Sequence, residues 1–521
     1  MSLSKPNRSA ATISTTRVDP APISGICVTC LDGCEGPCEI GRSALKGREM
    51  IYPQPFGKIT AGAEKDYPVD FSHFNIQGTC VGAMGVAADP DVATFPAVDC
   101  STTAGADGSL CLDFPVISGA LGSTDIARVN WEDVAAGAAV SGILVVVGEN
   151  VCGMDPQAEF RNGRLVRSPE MERRVNAFKR WYNGRGGLVV QANVEDTTLG
   201  VPEFVIQKLG VEIFELKWGQ GAKDIGGEVK LPTLERAMQL KERGYIVLPD
   251  PRTPAAQAAF HSGGISEFER HSRLGMVTED GFYREVERLR GMGAKYVTLK
   301  TGAYRPADLA RAIKFCSNAR IDFLTIDGAG GGTGMSPWRM MNEWGIPTVH
   351  LECLTHQICR RIEAKGGYLP PIAIGGGLSL EDHVFKALAL AAPYSKAVCL
   401  GRAILTAAMV GKTHGRLMAE KCQRLGRSVP EGFLQLFAAG AQLRERLGKE
   451  FEALPPGAIG LYSYIDRLRQ GLQQLMAGAR KFALPYIDRG DLVALTREAS
   501  EISGIPYLMD SDQEEIDRIL G

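Results

Sequence analysis

Four cysteines fall within twelve residues near the start of this chain, Cys27, Cys30, Cys34 and Cys38, in the segment GICVTCLDGCEGPCEIGR. Four soft thiolates so close together can complete a tetrahedral zinc site or a cubane iron-sulfur cluster. Ligand number does not choose between them, but spacing in a single run favours a 4Fe-4S cluster, because structural zinc sites usually split their ligands into two separated pairs. The first fifteen residues hold no apolar stretch that could act as a signal peptide, and no run of about 18 apolar residues occurs. The expectation is a cytoplasmic chain whose 13 cysteines stay reduced, so that a cluster of them means metal rather than disulfides. Cys80, Cys100 and Cys111 could serve a second cluster, but their spacing is loose and the default reading is buried thiols.

A second group of residues points to phosphate. The apolar run ending at residue 375 continues into Gly375, Gly376 and Gly377, and the one ending at 400 into Gly401, Arg402 and Ala403. Either could be a tight turn, yet as a pair they put bare amides, a guanidinium and a helix N-terminus where a phosphate dianion could bind. Residues 327–337, DGAGGGTGMSP, form a polar loop that lets a planar or phosphorylated ligand approach closely. That loop lacks the P-loop arrangement, and no dinucleotide fingerprint follows a strand, so NAD(P) is not indicated. Lys300 ends the run VTLK, where a strand-end ammonium would face such a ligand.

These residues must be positioned by repeated strand-helix units. From about residue 113, short apolar runs alternate with helical-period stretches. Eight runs read as barrel strands: 115–119, 143–147, 187–191, 211–217, 295–300, 321–326, 371–375 and 396–400. Runs at 245–249 and 346–349 are also strand-like and are assigned to excursions between units. The fold class is therefore α/β, a (β/α)8 TIM barrel over residues 113–410. A cysteine-rich, loop-like segment (1–112) precedes it and a helical region (411–521) follows. Active centres of such barrels sit at the C-terminal strand ends, where the loops after strands 7 and 8 commonly hold phosphate. With 45% hydrophobic residues, 23% charged residues and a net charge of -2, the composition gives no sign of disorder, a nucleic-acid partner or a membrane.

Residues 215–228, ELKWGQGAKDIGGE, closely resemble the K-x-x-Q-G-A-K-P-G-x-G-G-Q stretch of the FMN-binding central domain of glutamate synthases. Three further segments match in order. Residues 118–123, SGALGS, are similar to S-x-G-A-L-S, Gly148-Glu149 falls at T-G-E-G-G, and residues 327–337 resemble D-G-G-T-G-A-S-P. The resemblance covers roughly residues 113–410 and implies a stand-alone glutamate-synthase-like protein. It implies FMN held by Gly119, Gln191, Gln220, Lys300, Gly331, Gly332, Thr333, Gly376, Gly377, Gly401 and Arg402, with Lys223, Lys300 and Gln220 as catalytic residues. Glutamate synthases pass hydride from the reduced flavin to 2-iminoglutarate, formed from 2-oxoglutarate and ammonia. A dicarboxylate of that kind wants cationic clamps, for which Lys223 and Arg252 are candidates. A cation at Lys300 would stabilise the charge gained by the flavin.

The sequence departs from the pattern at Asp224 and Glu228, where two acids would repel a dicarboxylate unless they point away. It also lacks the glutaminase domain, the β-helix and the family's cysteine cluster after the last strand, and Cys399 and Cys422 read as structural. His350 and His356 read as packing residues, although His356 falls where the family shows a similar T-H-Q. The ending G-P-C-E-I resembles cluster segments of nickel carbon monoxide dehydrogenases, which also favours iron-sulfur. The leading expectation is an iron-sulfur flavoenzyme passing electrons through the cluster to FMN and as hydride to an oxo or imino acid. Ferredoxin, or a partner electron-transfer or amidotransferase subunit, would serve it, and a homo-oligomer is compatible. The alternatives are an amine or amino-acid dehydrogenase and a non-catalytic electron-transfer subunit.

Overall fold

The computed structural model describes residues 32, 34, 35, 38–221, 223, 225 and 228–521. Cys27, Cys30 and Asp224 lie outside the described residues.

Eight parallel strands close into a barrel in sequence order. They are β1 (Val116–Ser118), β2 (Leu144–Val147), β3 (Gly187–Ala192), β4 (Ile213–Lys217), β5 (Tyr296–Thr301), β6 (Phe323–Asp327), β7 (Ile372–Gly375) and β8 (Ser395–Leu400). Every expected barrel strand is present. The reason they were readable is burial on both faces, which makes each strand a near-continuous apolar run. Ile117, Leu144, Val146, Val189, Ile213, Phe323, Ala373 and Ala397 fill the barrel interior. Val145, Val147, Phe214, Val297, Leu299, Ile326, Ile374 and Val398 face the helices. The N-terminal end of the barrel is plugged by an antiparallel hairpin, Thr102–Ala104 with Leu110–Leu112, whose Leu110 and Leu112 join the interior cluster.

Between β4 and β5 the chain leaves the barrel for a three-stranded antiparallel sheet, with Phe268–His271 between Glu228–Leu231 and Ile246–Leu248. The strand-like run at 245–249 is thus a strand of an excursion. The run at 346–349 is not a strand. Pro347 has no N–H to give a ladder and instead caps the helix Thr348–Glu363, leaving a single bridge to Ala329.

After β8 the chain is helical, with Arg402–Arg424 and Pro456–Gly478 the longest helices. The expected helical tail has one exception, the strand Leu492–Ala494, which pairs antiparallel with Phe74–Ile76 and ties the two ends of the chain together. None of the described helices is long and apolar enough to cross a membrane.

The helix Thr348–Glu363 carries an unusual group. Glu352 is fully buried, and neither carboxylate oxygen has a hydrogen-bond partner. Burial pushes its carboxyl well above the usual range, with Arg489 opposing. A carboxyl raised on folding gives its full contribution to stability below its unfolded pKa of about 4.3, and loses it as pH rises through the folded value. Glu352→Gln should therefore raise stability in neutral solution, by about 1.4 kcal/mol for each unit by which the carboxyl is raised, because the amide has no proton to lose on unfolding. The gain should shrink as pH falls towards the unfolded carboxyl range. Chemical denaturation at several pH values checks this, and a gain independent of pH would contradict it.

Candidate functional site: two cavities at the barrel mouth

The C-terminal strand ends open into a cavity of about 740 Å³. Of the expected cofactor residues, Gly119, Gln220, Lys300, Gly331, Gly332, Thr333, Gly376, Gly377, Gly401 and Arg402 line it. Gln191 does not. It is buried below the mouth at the end of β3, where its Nε2 donates to Glu215 Oε1 at 2.6 Å.

One wall is a cradle of backbone. Gly376 and Gly377 have φ of +113° and +102°, and Gly330 lies beside Gly376. The neighbouring ends of β8 and β1 touch so closely that a Cβ on Gly119 would stand 2.6 Å from the Gly401 Cα. Gly401 opens the helix Arg402–Arg424, so the amides of its first turn have no partner further back in the helix. Burial lowers the Arg402 guanidinium pKa from its ordinary value. A phosphate here would receive amide donors, the positive helix end and the guanidinium together, and would relieve that burial penalty. The rest of the wall is apolar, with Leu121, Leu378, Leu380, Leu405 and Val410. Such a surface suits a flat ring system.

The floor carries charge. Lys300 Nζ lies 3.2 Å from Asp327 Oδ2, and both side chains are almost wholly buried. Burial opposes the charge on Lys300, but Asp327 above all, with Glu215 behind it, outweighs that cost and holds the ammonium well above its ordinary range. Lys300 is therefore a fixed cation under the cavity. Cys399 also lines the cavity, and burial pushes its thiol up to about 12, so it stays neutral.

Sequence reasoning missed two parts of this wall. Thr60, Ala61 and Gly62 come from a segment that crosses the mouth over residues 332–334, with Ala61 against Gly332 and Ile59 against Gly334. Tyr464 comes from the helix Pro456–Gly478. Neither segment carries a motif, and only long-range packing brings them here.

Gln220 divides this cavity from a second one of about 220 Å³, lined by Glu149, Lys217, Trp218, Lys223, Arg273, Leu274, Met276 and Tyr304, among others. Lys217 Nζ donates to Glu149 Oε1 at 2.6 Å and to Gln220 Oε1 at 3.1 Å. Burial works against the Glu149 carboxylate, but Lys217 and Lys223 hold its pKa down at about 2. Arg273 pairs with Glu195 at 2.6 Å. Lys217, Lys223 and Arg273 thus line one small space, Lys217 beside Glu149 and Arg273 beside Glu195. Lys223 lines this cavity and not the larger one, whereas Arg252 lines neither. Arg252 is exposed and paired with Asp250, and the arginine that reaches the cavity is Arg273.

Glu228 points away from both cavities. It accepts a hydrogen bond from Tyr52 Oη at 2.6 Å and lies 3.4 Å from Lys230, because it opens an edge strand of the excursion sheet. Arg48 reaches Glu269 on the neighbouring strand at 3.1 Å, so the segment that follows the cysteines is fastened to this sheet. Cys38 caps the helix Glu39–Lys46, its Sγ accepting from Gly41 N at 3.3 Å. Among the described residues, no group of three or more His, Cys, Asp or Glu could hold a metal.

His356 packs against the Tyr394 ring and lines neither cavity, which agrees with a packing role. Cys422 is buried among the C-terminal helices and Cys100 is also buried, but Cys111 is only partly covered and Cys80 is exposed, contrary to expectation.

Residues 271–424 match the family model described as "Conserved region in glutamate synthase". The glutamate synthase large subunit-like protein YerD of Bacillus subtilis (strain 168) is 28% identical over 190 residues, covering 35% of this chain and 32% of that protein. The match thus spans about a third of the length of this curated relative. Among solved structures, a flavocytochrome b2 variant with pyruvate bound aligns at 15% identity and a TM-score of 0.46, over 81% of this chain and 76% of that one. A soluble mutant of (S)-mandelate dehydrogenase from Pseudomonas putida aligns at 14% identity and a TM-score of 0.41, over 81% and 88%. The matched region runs from the end of the excursion sheet through β5–β8 and the helix after them, which supplies Lys300, the 327–337 loop and both glycine turns. Over residues 271–424 the chain is similar to the conserved region of glutamate synthases.

Proposed function

We propose that the chain is an FMN-dependent oxidoreductase of the glutamate synthase type. Cys27, Cys30, Cys34 and Cys38 would hold a 4Fe-4S cluster and the larger cavity would hold FMN, and these groups would supply electron transfer and hydride delivery to an imino or oxo acid. The specific reaction is formation of glutamate from 2-oxoglutarate and ammonia. The observation that carries this reading is the convergence, in one cavity, of the glycine turns at 376–377 and 401, Arg402 and the Lys300–Asp327 pair.

FMN, when bound, supplies the chemistry that joins one-electron donors to a hydride acceptor. The chain's residues divide the remaining work. The amides of Gly376, Gly377 and Gly401, together with Arg402, hold the phosphate, and Lys300 offsets the negative charge gained on reduction. Lys217, Lys223 and Arg273 hold a substrate carboxylate in the smaller cavity, with Gln220 between the two sites. The 60–62 segment and Leu378 exclude water from the mouth. A ferredoxin-like donor or a partner subunit would deliver electrons, and ammonia would come from solution or from a partner. Because Glu228 bonds to Tyr52, it gives no support to an amine substrate.

The test is anaerobic purification of the full chain, a visible spectrum and iron analysis, then addition of 2-oxoglutarate with ammonium to the reduced protein. One FMN and about four irons per chain are expected, with the flavin reoxidised by the two substrates together. A protein without flavin overturns the reading. Flavin that stays reduced overturns the glutamate reaction alone.

A further inference from the structure

Beneath Lys300 lies a buried polar layer that the proposed reaction leaves unused. Barrel register puts Gln191 of β3 beside Glu215 of β4, Glu215 beside Thr298 of β5, and Lys300 beside Thr325 of β6. All of these side chains are at least nine-tenths buried. The Glu215 carboxyl accepts from Gln191 Nε2 at 2.6 Å and from Thr298 Oγ1 at 3.4 Å. Gln191 Oε1 and Thr325 Oγ1 have no partner, so this layer still has hydrogen-bonding capacity.

Charge balance then decides what Glu215 can do. Lys300 is within ion-pair distance of Asp327 and not of Glu215. On its own strand, Lys217 is neutralised by Glu149. Cys399 of β8 is an un-ionised thiol. An ionised Glu215 therefore leaves Lys300 facing two carboxylates, so the floor carries one negative charge in excess and Lys300 cannot offset a reduced ring as well. Reduction of bound FMN to its anionic form would place a second one above it, in a site that excludes water, where like charges are costly. Burial already raises the Glu215 carboxyl pKa, opposed by Lys300 and by the bonds from Gln191 and Thr298. Proton uptake is the cheapest release.

We propose that Glu215 takes up a proton when the cofactor above it is reduced. This rests on the FMN reading given above. In the balanced step, two electrons from a one-electron reductant and one solvent proton convert FMN to the anionic reduced form carrying the proton at N5. A second solvent proton converts the Glu215 carboxylate to the acid. Glu215 is a positioning residue, acting through the charge it removes from beneath the ring.

The pH dependence of the midpoint potential of the FMN-loaded full chain tests this. In the native protein two protons should accompany two electrons, and in Glu215→Gln one, so that the slope falls twofold. If Glu215→Gln does not fold, the native protein still decides. Its reduced-minus-oxidised infrared difference spectrum should gain a carboxylic-acid carbonyl band, and that band should persist in Asp327→Asn. A native slope of one proton per two electrons, or the same slope in Glu215→Gln, overturns the proposal and leaves the FMN reading intact. A protein that retains no FMN overturns both.

Discussion

Lys300→Ala should give a protein that loses most of its flavin on purification and is destabilised by about 3–5 kcal/mol, the usual consequence of removing one partner of a buried ion pair. Asp327 would be left with its charge in a nearly dry floor, 3.2 Å from an ammonium that is no longer there, and Glu215 would lose its nearest opposing charge. The destabilisation and the cofactor loss have separate causes and can be separated. Lys300→Met combined with Asp327→Asn removes both charges and should recover much of the lost stability, because Asp327 no longer stands as a bare ion and Glu215, whose carboxyl burial already raises, is left to take a proton. It should not recover flavin retention or the native reduction potential, since the cation that offsets the reduced ring is still missing. Thermal unfolding and flavin-to-protein ratio measured on both variants check this. If the alanine variant keeps a full complement of FMN at an unchanged potential, Lys300 has no part in the site.

The residues in that prediction were legible in the sequence, whereas several of their neighbours were not, and the difference is physical. A barrel strand is buried on both sides, so Val145 and Val146 are both apolar for independent reasons and the run betrays itself. Strand-end positions then follow by counting, which is how Lys300 and Gly376 could be placed at the mouth. The excursion sheet offers no such redundancy. Whether Arg252 or Arg273 enters the smaller cavity depends on where the strand Phe268–His271 ends and on how it pairs with Glu228–Leu231. Side-chain period two makes one residue's shift reverse the answer. The same alternation turns Glu228 towards Tyr52, although its motif suggested a place beside the substrate. Thr60 and Tyr464 reach the cavity from segments far apart in sequence, and contacts of that kind leave no local pattern to read.

Gly376→Ala should abolish tight flavin binding while leaving the barrel folded. The residue sits at φ +113°, a conformation L side chains rarely adopt, and strain of that kind costs ~1–3 kcal/mol. Space is the larger obstacle. An added Cβ would stand 2.5 Å from Thr348 Oγ1, 2.6 Å from Gly328 O and 2.8 Å from Gly328 N. Thr348 cannot simply swing away, because its hydroxyl donates to the carbonyls of Gly376 and Ala329 at 2.6 and 3.0 Å. The Gly328 backbone is held by the Gly375 carbonyl at 2.9 Å. The 376–377 turn itself must therefore move, and its amides leave the positions from which they would donate to a phosphate. Two lost or misaligned amide-phosphate bonds at ~1.5–3 kcal/mol each correspond to at least a hundredfold weaker FMN binding. Gly366→Ala is the control. It lies at φ +72° with nothing within 4 Å of the added methyl, so it carries backbone strain alone and is far from the cradle. Fluorescence titration of flavin-stripped protein with FMN should show the loss in Gly376→Ala and native affinity in Gly366→Ala. Equal affinity in the two variants would place the phosphate elsewhere.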